Sequence, residues 1–169
     1  IGGGSICSTR IQTGHGVPGL TTVLDCARST RKAKIIVDGG IKNSGDIVKA
    51  LAAGADFVML GSMLSGTDEA PGGKHFDSRT GKFYMAYRGM ASVEAQIDWR
   101  GHTSSVEGVA STVDYKGPVQ SVLTDITRGV KSGLSYSGAR TIREFQARSQ
   151  MIRITSSGMA ESRTHILNT

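Results

Sequence analysis

The sequence predicts an α/β fold built on a parallel sheet, and three neighbouring stretches predict it. Lys34 to Gly40 reads KIIVDGG, a short continuous apolar run of the kind that forms a strand buried on both faces and ends in an acid and two glycines. Asn43 or Ser44 can cap a helix that carries Ile47, Val48, Leu51 and Ala52 on one face and stops at Gly54. Asp56 to Ser62, DFVMLGS, is a second strand closed by small residues. Strand, helix and strand in about 30 residues make a βαβ unit, which requires parallel pairing. Such a sheet needs more members than this stretch supplies.

The flanking segments read in order around that unit. Residues 1 to 16 are glycine-rich around Cys7, which predicts a loop that turns sharply or approaches a ligand. Leu20, Val23, Leu24 and Ala27 have helical spacing. Residues 65 to 82 predict a polar excursion into a short strand at Lys82 to Tyr87. Residues 91 to 116, polar and weakly periodic around Trp99, predict a mobile flap. Pro118 opens a helix striped with Val119, Val122, Leu123, Ile126 and Val130, a proline being pre-set for the first helical position. A last helix is expected over Thr141 to Arg148, followed by a strand-like Met151 to Thr155 and a polar tail. One domain over 1–169 is expected, and Ile1 at the start suggests part of a longer fold.

Composition narrows the class. Cys7 and Cys26 offer no disulfide framework, which suits a reducing, cytoplasmic setting, and no apolar run approaches the roughly 20 residues that span a bilayer. The net charge of +6 is spread along the chain and aromatics are only 5%, so a phosphate-bearing small molecule suits it better than a nucleic acid. His15, His75, His102 and His165 lack metal-ligand spacing, and neither a Rossmann fingerprint nor a P-loop is present.

Chemistry concentrates at the strand ends, where barrels of βα units place their active sites. Gly39 and Gly40 after the first strand, and Gly61 and Ser62 after the second, can present backbone N–H groups to an anion. Turns favour glycine in any case, but two such pairs in succession favour phosphate. Asp38 can accept both hydroxyls of a ribose or cap a helix. Cys7, on an open loop near Arg10, has the setting of a reactive thiolate, whereas Cys26 beside Leu24 is expected in the core.

Taken together these residues resemble the IMP dehydrogenase and GMP reductase family over essentially the whole chain. IGGGSICSTR looks like its catalytic cysteine loop, VDGGIKNSGDIVKALAAGADFVMLGSMLSGT like its last two barrel strands, and YRGMAS, DYKGP and RITSSGMAES like later landmarks. The resemblance implies the C-terminal part of a (β/α)8 TIM barrel. It implies a purine-nucleotide oxidoreductase in which Cys7 attacks C2 of the base, forming a thioimidate, with Thr9 beside the leaving or attacking group and Glu107 relaying a proton. Asp38 would bind ribose. Ser5, Gly40, Gly61, Ser62 and Tyr87 would bind phosphate, Gly89 and Met90 would line the base pocket, and Gly108 would also contact the substrate.

The resemblance further implies NAD or NADP as cofactor. It also implies a potassium ion on the carbonyls of Gly2, Gly4 and Cys7, and a homotetramer in which Glu161, Ser162 and Arg163 of a neighbouring subunit complete that ion site. Gly3 stands where many members carry proline. The dehydrogenase needs an Arg-Tyr pair on a long flap to activate water, and residues 91 to 116 hold only the separated Arg100 and Tyr115. TGHG, SSVEG and LSYSGA also look reductase-like, while GSMLSGTDEAPGG, YRGM and RITSSGMAES look dehydrogenase-like. GMP reductase is therefore the favoured reading and IMP dehydrogenase the alternative. An inactive barrel fragment that binds a nucleotide, and a basic RNA-binding module, are the non-enzymatic alternatives; the chain alone is expected to be inactive.

Overall fold

The computed structural model describes residues 1–29, 32–164 and 166. Its centre is the expected βαβ unit: β1 (Ile36–Asp38), α3 (Ser44–Ala52) and β2 (Phe57–Met59), with β1 and β2 parallel in the register Ile36 to Phe57, Val37 to Val58 and Asp38 to Met59. Asn43 caps α3 by accepting from Asp46 N at 2.9 Å. Outside it pack α2 (Gly19–Arg28), α5 (Val119–Tyr136) and α6 (Ile142–Arg148). The core runs through Val23, Val37, Ile47, Leu51, Ala55 and Phe145. Gly129 and Gly133 let α5 lie close on α3, since a Cβ at Gly133 would stand 2.7 Å from Val48 Cγ2.

A second sheet of three antiparallel strands, β3 (Lys74–Asp77), β4 (Lys82–Arg88) and β5 (Ala110–Asp114), stands beside this unit in the order β3-β4-β5. Lys116 N donates to Gly66 O, Asp68 N to Gly117 O and the Tyr115 hydroxyl to Asp68, so the turn after β2 is tied to the chain leaving β5. Glu69 accepts from Val119 N at 2.8 Å and so caps α5 from a distant segment.

Several expectations are corrected. β1 is not buried on both faces: Val37 is, while Ile36, Phe57 and Met59 face a side that no described element covers. Residues 91 to 116, weakly periodic in sequence, contain α4 (Val93–Arg100), capped by Ser92 and stopped at Gly101, and β5. The excursion at 65 to 82 contains β3, which pairs with β4. Pro118 is the N-cap of α5, with extended ψ 141, rather than its first residue. Met151 to Thr155 forms no strand among the described residues, and the tail after it forms α7 (Ser156–Glu161). The glycine-rich loop holds a five-residue helix, α1 (Thr9–Thr13). Cys26 is exposed on α2 rather than in the core. His165 lies outside the described residues.

Candidate active site

The β4–β5 ladder does not stop at its last strand pair. Gly89 N donates to Val109 O and Glu107 N to Ala91 O, and the cysteine loop joins this extension with Ser8 N donating to Glu107 O at 2.8 Å and Val109 N to Ile6 O at 3.0 Å. Cys7 thus sits opposite Gly108 as a non-hydrogen-bonded antiparallel pair, where backbones approach most closely. Gly89 completes the row, with a Cβ there meeting Ile6 at 3.5 Å.

Three side chains follow from that pairing. The Cys7 thiol lies 3.1 Å from Thr9 Oγ1, and the Thr9 hydroxyl donates to Glu107 Oε2 at 2.7 Å. Ser105 Oγ donates to Glu107 Oε1 at 3.0 Å. The Thr9 hydroxyl bond, then that of Ser105, holds the Glu107 carboxyl below the usual range. Thr9 is also the main group lowering the Cys7 thiol, first by its hydroxyl and then by its N–H, against burial and the negative charge of Glu107. One hydroxyl carries one proton, so it serves Glu107 or the thiolate but not both at once. Because the Thr9 hydroxyl donates to Glu107, the thiol donates to Thr9 in this arrangement. Arg10 is not the thiolate's partner, as its guanidinium donates to Val17 O at 2.7 Å and to Ile1 O.

The strand ends come to the same seam. Gly39, with φ 87, meets the cysteine loop so closely that a Cβ would lie 2.6 Å from Gly3 C. Asp38 ends β1 with an exposed carboxylate, and Gly40 faces Gly3 O. Ser5 Oγ lies 3.4 Å from Tyr87 Oη, and that hydroxyl stands beside Gly61. Ser62 follows Gly61 in the turn after β2, while Met90 is 69% exposed where β4 leaves the ladder. Gly4 O accepts from Cys7 N, and Gly2, with φ 74, packs on the Arg10 stem. Glu161, Ser162 and Arg163 lie exposed at the end of α7, where Ser162 Oγ donates to Gly158 O.

A cleft of about 440 Å3 beside β1 is lined by apolar residues such as Val23, Ile35 and Val37, and Cys7, Thr9 and Glu107 do not border it. Gly3, Asp38, Gly39 and Gly40 also line it, so it reaches the strand end where the cysteine loop meets β1. Sequence reasoning missed Lys116, whose ammonium donates to Ser62 O at 3.0 Å and Met63 O at 3.2 Å and holds the turn after β2. It also missed Gln96, a polar residue at the buried face of α4, the one signal that marked it.

Comparison with known proteins decides the family. Residues 1–165 match the IMP dehydrogenase / GMP reductase domain. The chain belongs to this family. An inosine-5'-monophosphate dehydrogenase of Nitrosopumilus maritimus is 47% identical over 98% of the chain and 37% of that protein. A GMP reductase of Leishmania major is 44% identical over 98% of the chain and 36% of that protein. The crystal structure of a GMP reductase from Trypanosoma brucei in complex with guanosine 5'-monophosphate superposes with a TM-score of 0.90 at 46% identity, over 98% of the chain and 35% of that structure. The expected fold class is borne out: this is a portion of the family's α/β barrel, and the chain spans little more than a third of the relatives' length.

Proposed function

We propose that these residues form the cysteine half of a purine-nucleotide oxidoreductase site acting at C2 of GMP, the reductase reading. The observation that carries it is the unbroken contact from the Cys7 thiol through the Thr9 hydroxyl to the Glu107 carboxylate. The thiol proton passes through Thr9 to Glu107 as sulfur bonds to C2. Glu107 then delivers that proton to the departing amino group, which leaves as ammonia. A bound reduced nicotinamide, NADPH or NADH, supplies the hydride to C2; the C–S bond breaks, its electron pair returns to Cys7, and IMP is released. Phosphate would rest on Ser5, Gly40, Gly61, Ser62 and Tyr87, ribose on Asp38, and the base beside Gly89, Met90 and Gly108.

Arg100 and Tyr115 support the reductase over the dehydrogenase reading. The Arg100 guanidinium donates to Gln96 Oε1 and Tyr115 donates to Asp68, so the two side chains are engaged with different partners rather than with each other. A potassium ion fits the Gly2, Gly4 and Cys7 carbonyls in donor chemistry, because each carbonyl has two lone pairs and the Gly4 oxygen spends only one on Cys7 N. Glu161, Ser162 and Arg163 of another subunit would complete that site in a homotetramer.

The test follows nicotinamide absorbance in the native polypeptide that carries these residues, with GMP plus NADPH and separately with IMP plus NAD. Consumption of NADPH that disappears in Cys7→Ala and falls about a hundredfold or more in Glu107→Gln is expected. NADH formation from IMP in its place would overturn the reductase assignment and leave the dehydrogenase.

A further inference from the structure

Gln96 is the most completely buried large side chain among the described residues, 0% exposed, and every polar atom of it is used. Its Nε2 donates to Ala91 O and to Ser105 O, both at 3.0 Å. Its Oε1 accepts from Ser104 N at 2.8 Å, from Arg100 Nη2 at 3.1 Å and from Ser104 Oγ at 3.4 Å. A primary amide offers two donors and one acceptor oxygen, so no capacity remains for any other task.

The partners matter more than their number. Ala91 O accepts from Gln96 and also from Glu107 N. Ser105, whose carbonyl the same amide holds, gives its hydroxyl to Glu107 Oε1. The Gln96 amide therefore grips both the backbone rung and the hydroxyl-bearing residue that fix the Glu107 carboxylate. Burying an amide is costly unless it is satisfied, which makes this a rigid joint rather than a solvated one.

We infer that Gln96, acting through Ser105, is the positioning residue for Glu107, setting the carboxylate against Thr9 and so against the thiol of Cys7. This inference rests on the assignment of Glu107 above. It also gathers the segment 91–105 around one side chain.

The experiment measures turnover by nicotinamide absorbance in the native polypeptide that carries these residues, together with the rate of Cys7 alkylation by iodoacetamide at one fixed pH, peptide mapping separating Cys7 from the exposed Cys26. Variants are Gln96→Met, which keeps the bulk of the side chain, Ser105→Ala at an exposed position, Glu107→Gln, and each of the first two combined with Glu107→Gln. Releasing Glu107 frees the Thr9 hydroxyl for the sulfur, so Gln96→Met and Ser105→Ala are expected to change the alkylation rate in the same direction as Glu107→Gln, with no further change in the combined variants. In the nicotinamide assay, Gln96→Met is expected to lower kcat by about ten- to a hundredfold with KM for the nucleotide nearly unchanged.

A residue that merely holds α4 would lower thermal stability without changing the reactivity of a cysteine on another segment. If Glu107→Gln changes the alkylation rate and Gln96→Met and Ser105→Ala do not, the inference is overturned and the assignment of Glu107 stands. If Glu107→Gln leaves both alkylation and turnover unchanged, the assignment of Glu107 falls, and the inference with it. Should Gln96→Met fail to fold, Ser105→Ala decides alone.

Discussion

The βαβ unit and the antiparallel sheet beside it are held together by different forces. β1 and β2 are only three residues each, yet α2, α3, α5 and α6 bury a continuous apolar cluster around them. The β3–β4–β5 sheet has longer strands and more backbone pairing, but of its residues only Met85 is buried. It relies on the ladder and on surface contacts: His75 stacked on Tyr84, Phe76 against Phe83, and Lys74 over the rings of Phe83 and Tyr115. The candidate site lies on the seam. Packing fixes Asp38, Gly39 and Gly40 on one side, and hydrogen bonding fixes Cys7, Glu107 and Gly108 on the other.

The contrast can be broken at its strongest point by Phe145→Ala. Phe145 is 2% exposed in the core, so urea unfolding is expected to show a loss of about 3–5 kcal/mol. A smaller loss would mean that α6 is peripheral to the unit. Gly39→Ala tests the seam: its Cβ would strike Gly3, and φ 87 disfavours any side chain. It is expected to cost about 1–3 kcal/mol and, unlike Phe145→Ala, to change the Cys7 alkylation rate while the folded state persists. An unchanged rate would show that the strand end and the cysteine loop are independent. Lys74→Met removes the cation from the exposed Phe83 ring and the half-buried Tyr115 ring, at a cost of about 0.5–1 kcal/mol and with no effect on Cys7. An effect on Cys7 alkylation would mean that the outer strand communicates with the site.

The same contrast explains what the sequence revealed. Elements stabilised by burial leave a periodic trace, so α2, α3, α5, α6 and the two parallel strands were legible from residues such as Ile47, Leu51 and Val130. β3 reads Lys74, His75, Phe76, Asp77, a pattern with no inward face, and forms because β4 offers partners for its backbone. α4 has little apolar face, and its signals were local ones, the Ser92 cap and the stop at Gly101. Met151 to Thr155 has strand-like composition but pairs with no strand among the described residues. Within the site, the residue types and order of Cys7, Thr9 and Glu107 were legible, and the structure joins them in one contact chain. The partner of the thiol was not legible: Arg10 is near in sequence, but its side chain turns to Ile1 and Val17. Cys26 failed for a similar reason, since helical spacing cannot tell which flank of α2 meets the core.

The Arg10 side chain also closes a ring. Its guanidinium joins the carbonyls of Ile1 and Val17, and its methylenes fill the space that side chains at Gly2 and Gly16 would need. The entropy lost in closing a loop rises only with the logarithm of its length, so a single cross-tie goes far toward confining the whole segment. Because the tie is a pair of hydrogen bonds and not a covalent link, it can release and re-form on the nanosecond-to-microsecond scale of loop motion. The cysteine therefore rides on a clasp that combines a defined resting shape with reversible opening, without a second thiol.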